Sequence, residues 1–150
     1  MSESRITDAM RAQLGEETEP YSFDVEAGDI VRFALAAGET DAAFTDPAAA
    51  RETAYGGLVA APTFLITMRI LQVARQHLLN TLPNSVDGGT AWEYHAEIRP
   101  GDHLTGRARL VDLYEKQGRA GSMVFQVVEI RYENQFGRLV ATQRDTYIRF

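Results

Sequence analysis

Cysteine is absent from this chain of 150 residues, and lysine occurs only once, at Lys116. A chain without cysteine forms no disulfide framework, no thiolate metal site and no thiol nucleophile. The 15 basic residues are therefore almost all arginines, and with 21 acidic residues they leave a net charge of −6. This balance argues against a surface that follows the phosphates of nucleic acid. The histidines, at His77, His95 and His103, have no metal-binding spacing, so we expect no metal site.

Long apolar runs are also missing. A membrane span needs about 18 or more consecutive apolar residues, and the chain has no such run. The segment 1–19 contains several acidic side chains and no continuous apolar stretch, unlike a signal or transit peptide. Together with the lack of cysteine, these features predict a soluble cytoplasmic protein with no membrane partner.

What is present is the composition of one ordinary globular domain, 45% hydrophobic and 24% charged. Residues 1–19 are polar and end before Pro20, which predicts a lead-in segment or short helix ahead of a domain over 20–150. Apolar spacing and capping residues then predict three short elements. These are a strand over Tyr21–Val25, a helix over Glu26–Ala37 that ends at Gly38, and a short helix capped by Asp46 and running to Thr53.

The segment from Pro62 to Leu79 is apolar around most of its helical circumference. Its apolar residues are Phe64, Leu65, Ile66, Met68, Ile70, Leu71, Val73 and Ala74. A helix of this kind must be enclosed by other structure rather than laid on a surface. We therefore predict a long central helix over this segment.

The C-terminal part of the chain, from about residue 88, has a period of two, which is typical of half-buried strands. Strands are predicted over Trp92–Ile98, His103–Glu115, Ser122–Glu133 and Arg138–Phe150, with turns at Arg99–Asp102, Lys116–Gly118 and Asn134–Gly137. An antiparallel sheet that curls around one buried helix is the α+β arrangement called a hot dog, and we predict this architecture. Pairing in a dimer would cover the exposed edge of such a sheet.

Two segments resemble a known family, the MaoC-like and fungal-synthase-type dehydratases. The first is Phe33–Phe64, FALAAGETDAAFTDPAAARETAYGGLVAAPTF, which is similar to the family pattern F-A-x-x-x-G-D-x-N-P-x-H-x-D-P-x-x-A-R and the loop that follows it. The matching residues are Phe33, Gly38, Asp46, Pro47, Ala50 and Arg51. The second is WEYHAEIRPGDHLTG, residues 92–106, which resembles the family's strand-turn-strand. Together they cover 47 of the 150 residues, about a third of the chain, in the right order.

The resemblance implies reversible addition of water to a 2-enoyl thioester carried on coenzyme A or acyl carrier protein, with no other cofactor. In the family, an Asp and a His of the pattern manage the protons, and a backbone N–H at the start of the central helix holds the thioester oxygen. This chain departs at all three places, where it has Glu39, Phe44 and Pro62. Phenylalanine transfers no proton and proline has no N–H. The Ala-Ala-Pro-Thr-Phe entry to the central helix, residues 60–64, resembles that of the non-catalytic halves of two-part dehydratases.

The same resemblance suggests the site residues. Glu39 and Asp41 are the candidate catalytic carboxylates if the chain does its own chemistry. The expected acyl-thioester site consists of Tyr55, Gly56, Gly57 and Pro62 at the mouth, and Thr63, Phe64, Leu65 and Met68 beside the central helix. We expect the N–H groups of Thr63 and Phe64 to be unpaired in the first helical turn and to face the thioester oxygen.

Three functions remain open on the sequence. The first is an acyl-thioester-binding hydratase or dehydratase subunit that works with a catalytic partner, as a homodimer or heterodimer. The second is a self-sufficient hydratase or thioesterase that uses Glu39 or Asp41 at a homodimer interface. The third is a non-enzymatic acyl-binding or scaffolding module.

Overall fold

One antiparallel sheet of five strands dominates the fold. The computed structural model describes residues 4–68, 74, 78, 82–119 and 121–150. The strands are β1 (Tyr21–Asp24), β2 (Ser85–Tyr94), β3 (His103–Gly118), β4 (Gly121–Glu133) and β5 (Leu139–Arg149). Their order in the sheet is β1-β3-β4-β5-β2, so β2 and β1 form its edges. Among the described residues, no helix is long and apolar enough to cross a membrane.

The helices are short and precede most of the sheet in the chain. They are α1 (Asp8–Ala12), α2 (Ala27–Ala36) and α3 (Ala42–Thr45), with 3-10 helices at Ala49–Glu52 and Phe64–Thr67. Helix α2 confirms the element predicted over Glu26–Ala37, and Gly38 follows it with a φ of 80°. That left-handed conformation suits a residue without a Cβ. The Asp46 carboxylate accepts the N–H groups of Ala48 and Ala49, which confirms the predicted cap.

Alternation along the strands places one face of the sheet in the core. In β4 the buried residues from Ser122 to Ile130 alternate with half-exposed ones, except at Glu129. The same face of β3 contributes Leu104, Ala108 and Leu110. Helix α2 contributes Ile30 to this core, and the 3-10 helix Phe64–Thr67 contributes Phe64 and Leu65; each of the three is at most 1% exposed. The period-two pattern therefore predicted both the strands and the face that they bury.

The edge strand β2 differs from its prediction. It begins at Ser85 and ends at Tyr94, whereas the alternation predicted a strand over Trp92–Ile98. The N–H groups of His95 and Ala96 still donate to the carbonyl of Val140 in β5, and the chain leaves the edge after them, where the carbonyl of Ile98 accepts the N–H of Ala60 at 2.8 Å. Pairing with the distant strand β5 adds the segment from Ser85 onward to the sheet. The register of this pairing shifts between Asp87 and Gly89.

The turn predicted at Lys116–Gly118 is also wrong. These residues extend β3, and Lys116 pairs with Met123 of β4. The β3–β4 hairpin is longer than its polar sequence indicates, because the two strands continue to pair beyond the residues that are buried in the core. The turns predicted at Arg99–Asp102 and Asn134–Gly137 are confirmed, each by a backbone hydrogen bond between its first and last residues.

The start of the predicted central helix is not an α-helix. Thr63 has a left-handed φ of 73°, Phe64–Thr67 form a single 3-10 turn, and Met68 is extended. A continuous helix from Pro62 is therefore wrong for this part, because Thr63 turns the chain the opposite way. Most of the remaining prediction, up to Leu79, lies outside the described residues.

The N-terminal segment packs on the sheet. Thr7 caps α1 by accepting the N–H of Met10, and the Met10 side chain is fully buried. Beyond α1, Leu14 and Glu17 form bridges with β3. The short helix predicted within 1–19 is present, and the division into a lead-in over 1–19 and a domain over 20–150 stays a prediction.

Candidate functional site

A groove of about 360 Å³ lies between the loop after α3, the 3-10 helix Phe64–Thr67 and the end of β2. Most of its wall is apolar, with a few polar groups at one side. It is lined by Phe44, Tyr55, Val59, Ala60, Ala61, Pro62, Phe64, Leu65, Tyr94, His95, Ala96, Glu97 and Ile98. Four of the residues predicted to bind an acyl thioester, Tyr55, Pro62, Phe64 and Leu65, are therefore brought together here. We refer to this feature as the groove.

The apolar floor of the groove is fixed by core packing. Phe64 and Leu65 are each 1% exposed. The ring of Phe64 meets Phe33 of α2 edge to face, with 5.8 Å between the ring centroids, a preferred aromatic geometry. Met68, also predicted for the site, lines a neighbouring depression with Phe33 and Thr67 rather than the groove itself.

The mouth of the groove is held by Arg99. Its guanidinium donates to the carbonyl oxygen of Tyr55 at 2.7 Å and forms an ion pair with Glu97 at 3.2 Å. Gly56 has a φ of 65°, a conformation that favours glycine. A Cβ placed on Gly57 would lie 3.6 Å from Arg99 Nη1, an ordinary contact. The two glycines thus support the mouth without lining the groove.

A backbone N–H and a phenol meet at the groove wall. The N–H of Thr63 donates to the hydroxyl oxygen of Tyr94 at 2.9 Å, and the N–H of Phe64 donates to the carbonyl of Ala61 at 3.1 Å. The expectation that both N–H groups are unpaired is therefore wrong, because the 3-10 turn uses one and Tyr94 takes the other. A non-glycine residue in the left-handed region costs about 1–2 kcal/mol, and Thr63 is the one described non-glycine residue there.

Tyr94 is held by a stack of aromatic rings. Its ring lies parallel to Trp92 with 6.0 Å between centroids, and Trp92 in turn stacks on the buried Tyr132. Burial raises the pKa of the Tyr94 phenol above its usual value, against the lowering effect of the Thr63 N–H. The phenol therefore stays protonated at neutral pH.

Behind the stack lies a buried polar chain. The Tyr132 hydroxyl donates to Gln143 Oε1 at 2.7 Å, and Gln143 Nε2 donates to Asp145 Oδ2 at 2.8 Å. The Thr90 hydroxyl donates to the other Asp145 oxygen at 2.5 Å. Such satisfied networks specify one arrangement of a core.

The two candidate catalytic carboxylates do not line the groove. Asp41 caps α3, and its carboxylate accepts the N–H of Ala43 at 2.9 Å. Glu39 follows the end of α2, where its own N–H donates to the carbonyl of Ala34. Their assignment as catalytic groups stays a prediction.

Phe44 lines the groove from α3, at the position where the resembled family has histidine. The residues that sequence reasoning missed lie at the end of β2 and just after it, where Tyr94, His95 and Glu97 line the same groove. His95 makes the cross-strand contact that its strand position predicts, with Nε2 3.2 Å from the Thr142 hydroxyl. The resemblance of residues 92–106 was the signal for this segment, but it did not indicate which side chains reach the groove. Among the described residues, no cluster of three or more potential metal ligands occurs.

Comparison with known proteins gives the family. Residues 12–143 match the family model described as FAS1-like, dehydratase domain region. A UPF0336 protein of Streptomyces avermitilis is 31% identical over 120 residues, which cover 77% of this chain and 75% of that protein. The family-model match spans most of the described sheet and the groove.

Two solved structures from Mycobacterium tuberculosis share the fold. The C-terminally truncated 3R-hydroxyacyl-ACP dehydratase complex HadBC superposes with a TM-score of 0.76 at 24% identity, covering 91% of this chain and 96% of that chain. The ChsH1-ChsH2 complex superposes with a TM-score of 0.73 at 20% identity, covering 89% and 84%. The predicted α+β hot-dog fold is thereby confirmed, and the chain belongs to the family of FAS1-like dehydratase domain regions.

Proposed function

We propose that this chain binds an acyl thioester in the groove and serves as the subunit of a two-part hydratase or dehydratase that lacks the Asp/His pair. The observation that carries the proposal is Phe44. It stands on the groove wall where the resembled pattern has its proton-transferring histidine. General acid–base catalysis contributes about 100- to 10,000-fold, and a phenyl ring supplies none of it.

The shape of the groove supports an acyl ligand. Ligand sites are concave, mostly apolar and about 300–1,000 Å³ in volume, with a few polar groups that fix orientation. The groove has an apolar floor at Phe64 and Leu65, and its polar groups are concentrated at Tyr94, His95 and Glu97. The ligand would be carried on coenzyme A or acyl carrier protein, and the proposed role requires no metal or organic cofactor.

The edge strand β2 supports a partner subunit. It is ten residues long, and nine of them are exposed. In the part of the chain that the structure describes, nothing pairs with its outer side. An exposed edge of this length is a liability that proteins cover. A second hot-dog chain would extend the sheet across this edge, and two of the structural neighbours are complexes by name.

We propose the cytoplasm as the compartment, because a chain without cysteine gains nothing from oxidising surroundings.

The first experiment separates binding from chemistry. Calorimetry with a medium-chain 2-enoyl coenzyme A should show binding by the isolated chain, while a hydration assay should show no turnover or very slow turnover. A turnover within the usual range of about 1 to 1,000 per second, abolished by Glu39→Gln, would contradict the proposal and establish a self-sufficient enzyme. Absence of binding would favour a scaffolding module.

The second experiment tests the partner. Co-expression with a hot-dog chain that carries an intact G-D-x-N-P-x-H pattern should give a complex with hydratase activity. Ala91→Lys places a charge on the exposed edge strand β2 and should weaken co-purification. The matched control is Ala48→Lys, an equally exposed alanine outside the sheet. Equal loss of the complex in both variants would argue against β2 as the interface.

A further inference from the structure

The Tyr94 hydroxyl is one of the few polar groups of a groove whose floor is apolar. Its ring is fixed by the parallel stack on Trp92, whose planes differ by 6°. Tyr94 remains 42% exposed, so one side of the residue is open to a ligand. The hydroxyl is therefore both positioned and accessible.

The hydrogen bond from Thr63 leaves the proton of this hydroxyl available. A tyrosine hydroxyl accepts and donates, and here the acceptor role is filled by the Thr63 N–H at 2.9 Å. Within the described ranges, no protein acceptor is found for the Tyr94 proton. A hydroxyl that accepts one hydrogen bond is a stronger donor in a second. The pair thus presents a polarised O–H to the groove.

The charged side chains around the groove determine which acceptor group of a ligand the Tyr94 O–H can bind. Glu97 lines the same groove and carries the one carboxylate among its lining residues. That carboxylate is paired with Arg99 at 3.2 Å, so a ligand carboxylate would lose hydration in the groove without gaining an ion pair of its own. An uncharged carbonyl oxygen has no such penalty.

We infer that Tyr94 donates the hydrogen bond that holds the thioester carbonyl oxygen, and that this bond gives the groove its preference for thioesters. The inference rests on the proposed function and deepens it. Thr63 acts through Tyr94 as a positioning residue, because its N–H orients the hydroxyl. The Tyr94–Thr63 pair thereby replaces the backbone donor that Pro62, lacking an N–H, does not supply.

The test compares two uncharged ligands that differ by one carbonyl group, hexanoyl-pantetheine and its hexyl thioether. Calorimetry on the wild-type chain should show thioester binding about 3- to 10-fold tighter, the usual effect of one neutral hydrogen bond. Tyr94→Phe keeps the ring stack and removes the donor, so the two ligands should bind equally. Tyr114→Phe is the matched control, because Tyr114 stacks on Phe125 away from the groove, and its preference should match wild type.

Three outcomes overturn the inference. A Tyr94→Phe chain that keeps the full preference shows that another group holds the carbonyl oxygen, while the proposed function stands. Tighter thioester binding by Tyr94→Phe shows that the hydroxyl blocks the Thr63 N–H. Failure of the wild-type chain to bind either ligand removes the proposed function itself.

A second measurement on the wild-type chain covers the case in which Tyr94→Phe does not fold. The infrared carbonyl stretch of bound hexanoyl-pantetheine should shift to lower frequency than in an apolar solvent. A stretch at the apolar-solvent frequency would show that no donor reaches the oxygen and would overturn the inference.

Discussion

Removing the hydroxyl of Tyr132 should destabilise the protein measurably without creating a large cavity. Tyr132 is 1% exposed in β4, and its hydroxyl donates to Gln143 Oε1 at 2.7 Å. Gln143 is itself buried, with its amide nitrogen bound to Asp145. In Tyr132→Phe the ring remains, and the amide oxygen of Gln143 loses its donor inside the core.

The magnitude follows from that stranded acceptor. A typical neutral hydrogen bond contributes about 0.5–1.5 kcal/mol net, but a buried acceptor left unsatisfied costs about 1–3 kcal/mol. The lost oxygen leaves little empty volume, so the cavity penalty is small beside this cost. We expect a decrease of about 1–3 kcal/mol in the free energy of unfolding. For a domain of this size that lowers Tm by about 2–4 °C per kcal/mol.

Urea denaturation followed by circular dichroism measures this difference. Fluorescence alone is a poor probe, because the one tryptophan, Trp92, stacks on Tyr132. Tyr114→Phe is the control, since its half-exposed ring lies outside the buried chain, and it should change stability by less than about 0.5 kcal/mol. A Tyr132→Phe variant as stable as this control would refute the reasoning, because Gln143 would then have another donor.

Three further predictions concern single positions. Gly57→Val should stay folded but bind acyl thioesters more weakly, because its two methyl groups extend beyond a Cβ that already contacts Arg99 at 3.6 Å at the groove mouth. Unchanged affinity by calorimetry would exclude the mouth from the site. Thr63→Gly should raise stability by up to about 1 kcal/mol by relieving the left-handed strain, whereas Thr63→Ala, which keeps a Cβ, should not. Hydrogen bonds, first from Ser122, lower the pKa of Glu115 to about 2 from 4.5. Their contribution to stability is present above pH 4.5 and is lost as the pH falls toward 2. Glu115→Gln should therefore reduce the pH dependence of the free energy of unfolding over that range. An unchanged pH dependence would contradict this.

Local patterns predicted the elements that depend on local contacts. The apolar spacing of α2 and the alternation in β4 are properties of a few adjacent residues, and both elements were found where predicted. The start of β2 was missed because its residues Gly88 and Gly89 have low strand propensity. It is the distant β5 that holds them in the sheet.

The site shows the same division. Phe64 and Leu65 were predicted as acyl-binding residues because their apolarity is visible in the sequence; they lie together in the groove, and their binding role stays a prediction. The Tyr94–Thr63 hydrogen bond joins residues 31 positions apart, and it depends on a left-handed residue that no propensity favours at threonine. Because these two residues meet only in the folded structure, no local sequence pattern predicts their hydrogen bond.

The place of β5 between β4 and β2 has a consequence for synthesis. Strand β2 leaves the ribosome long before β5, yet its neighbour in the sheet is β5. Until β5 emerges, the nascent chain exposes both the inner edge of β2 and the free edge of β4. Unpaired edges of this kind attract other chains while folding is incomplete. The interval before the last strand is made is therefore when this chain is most exposed to aggregation.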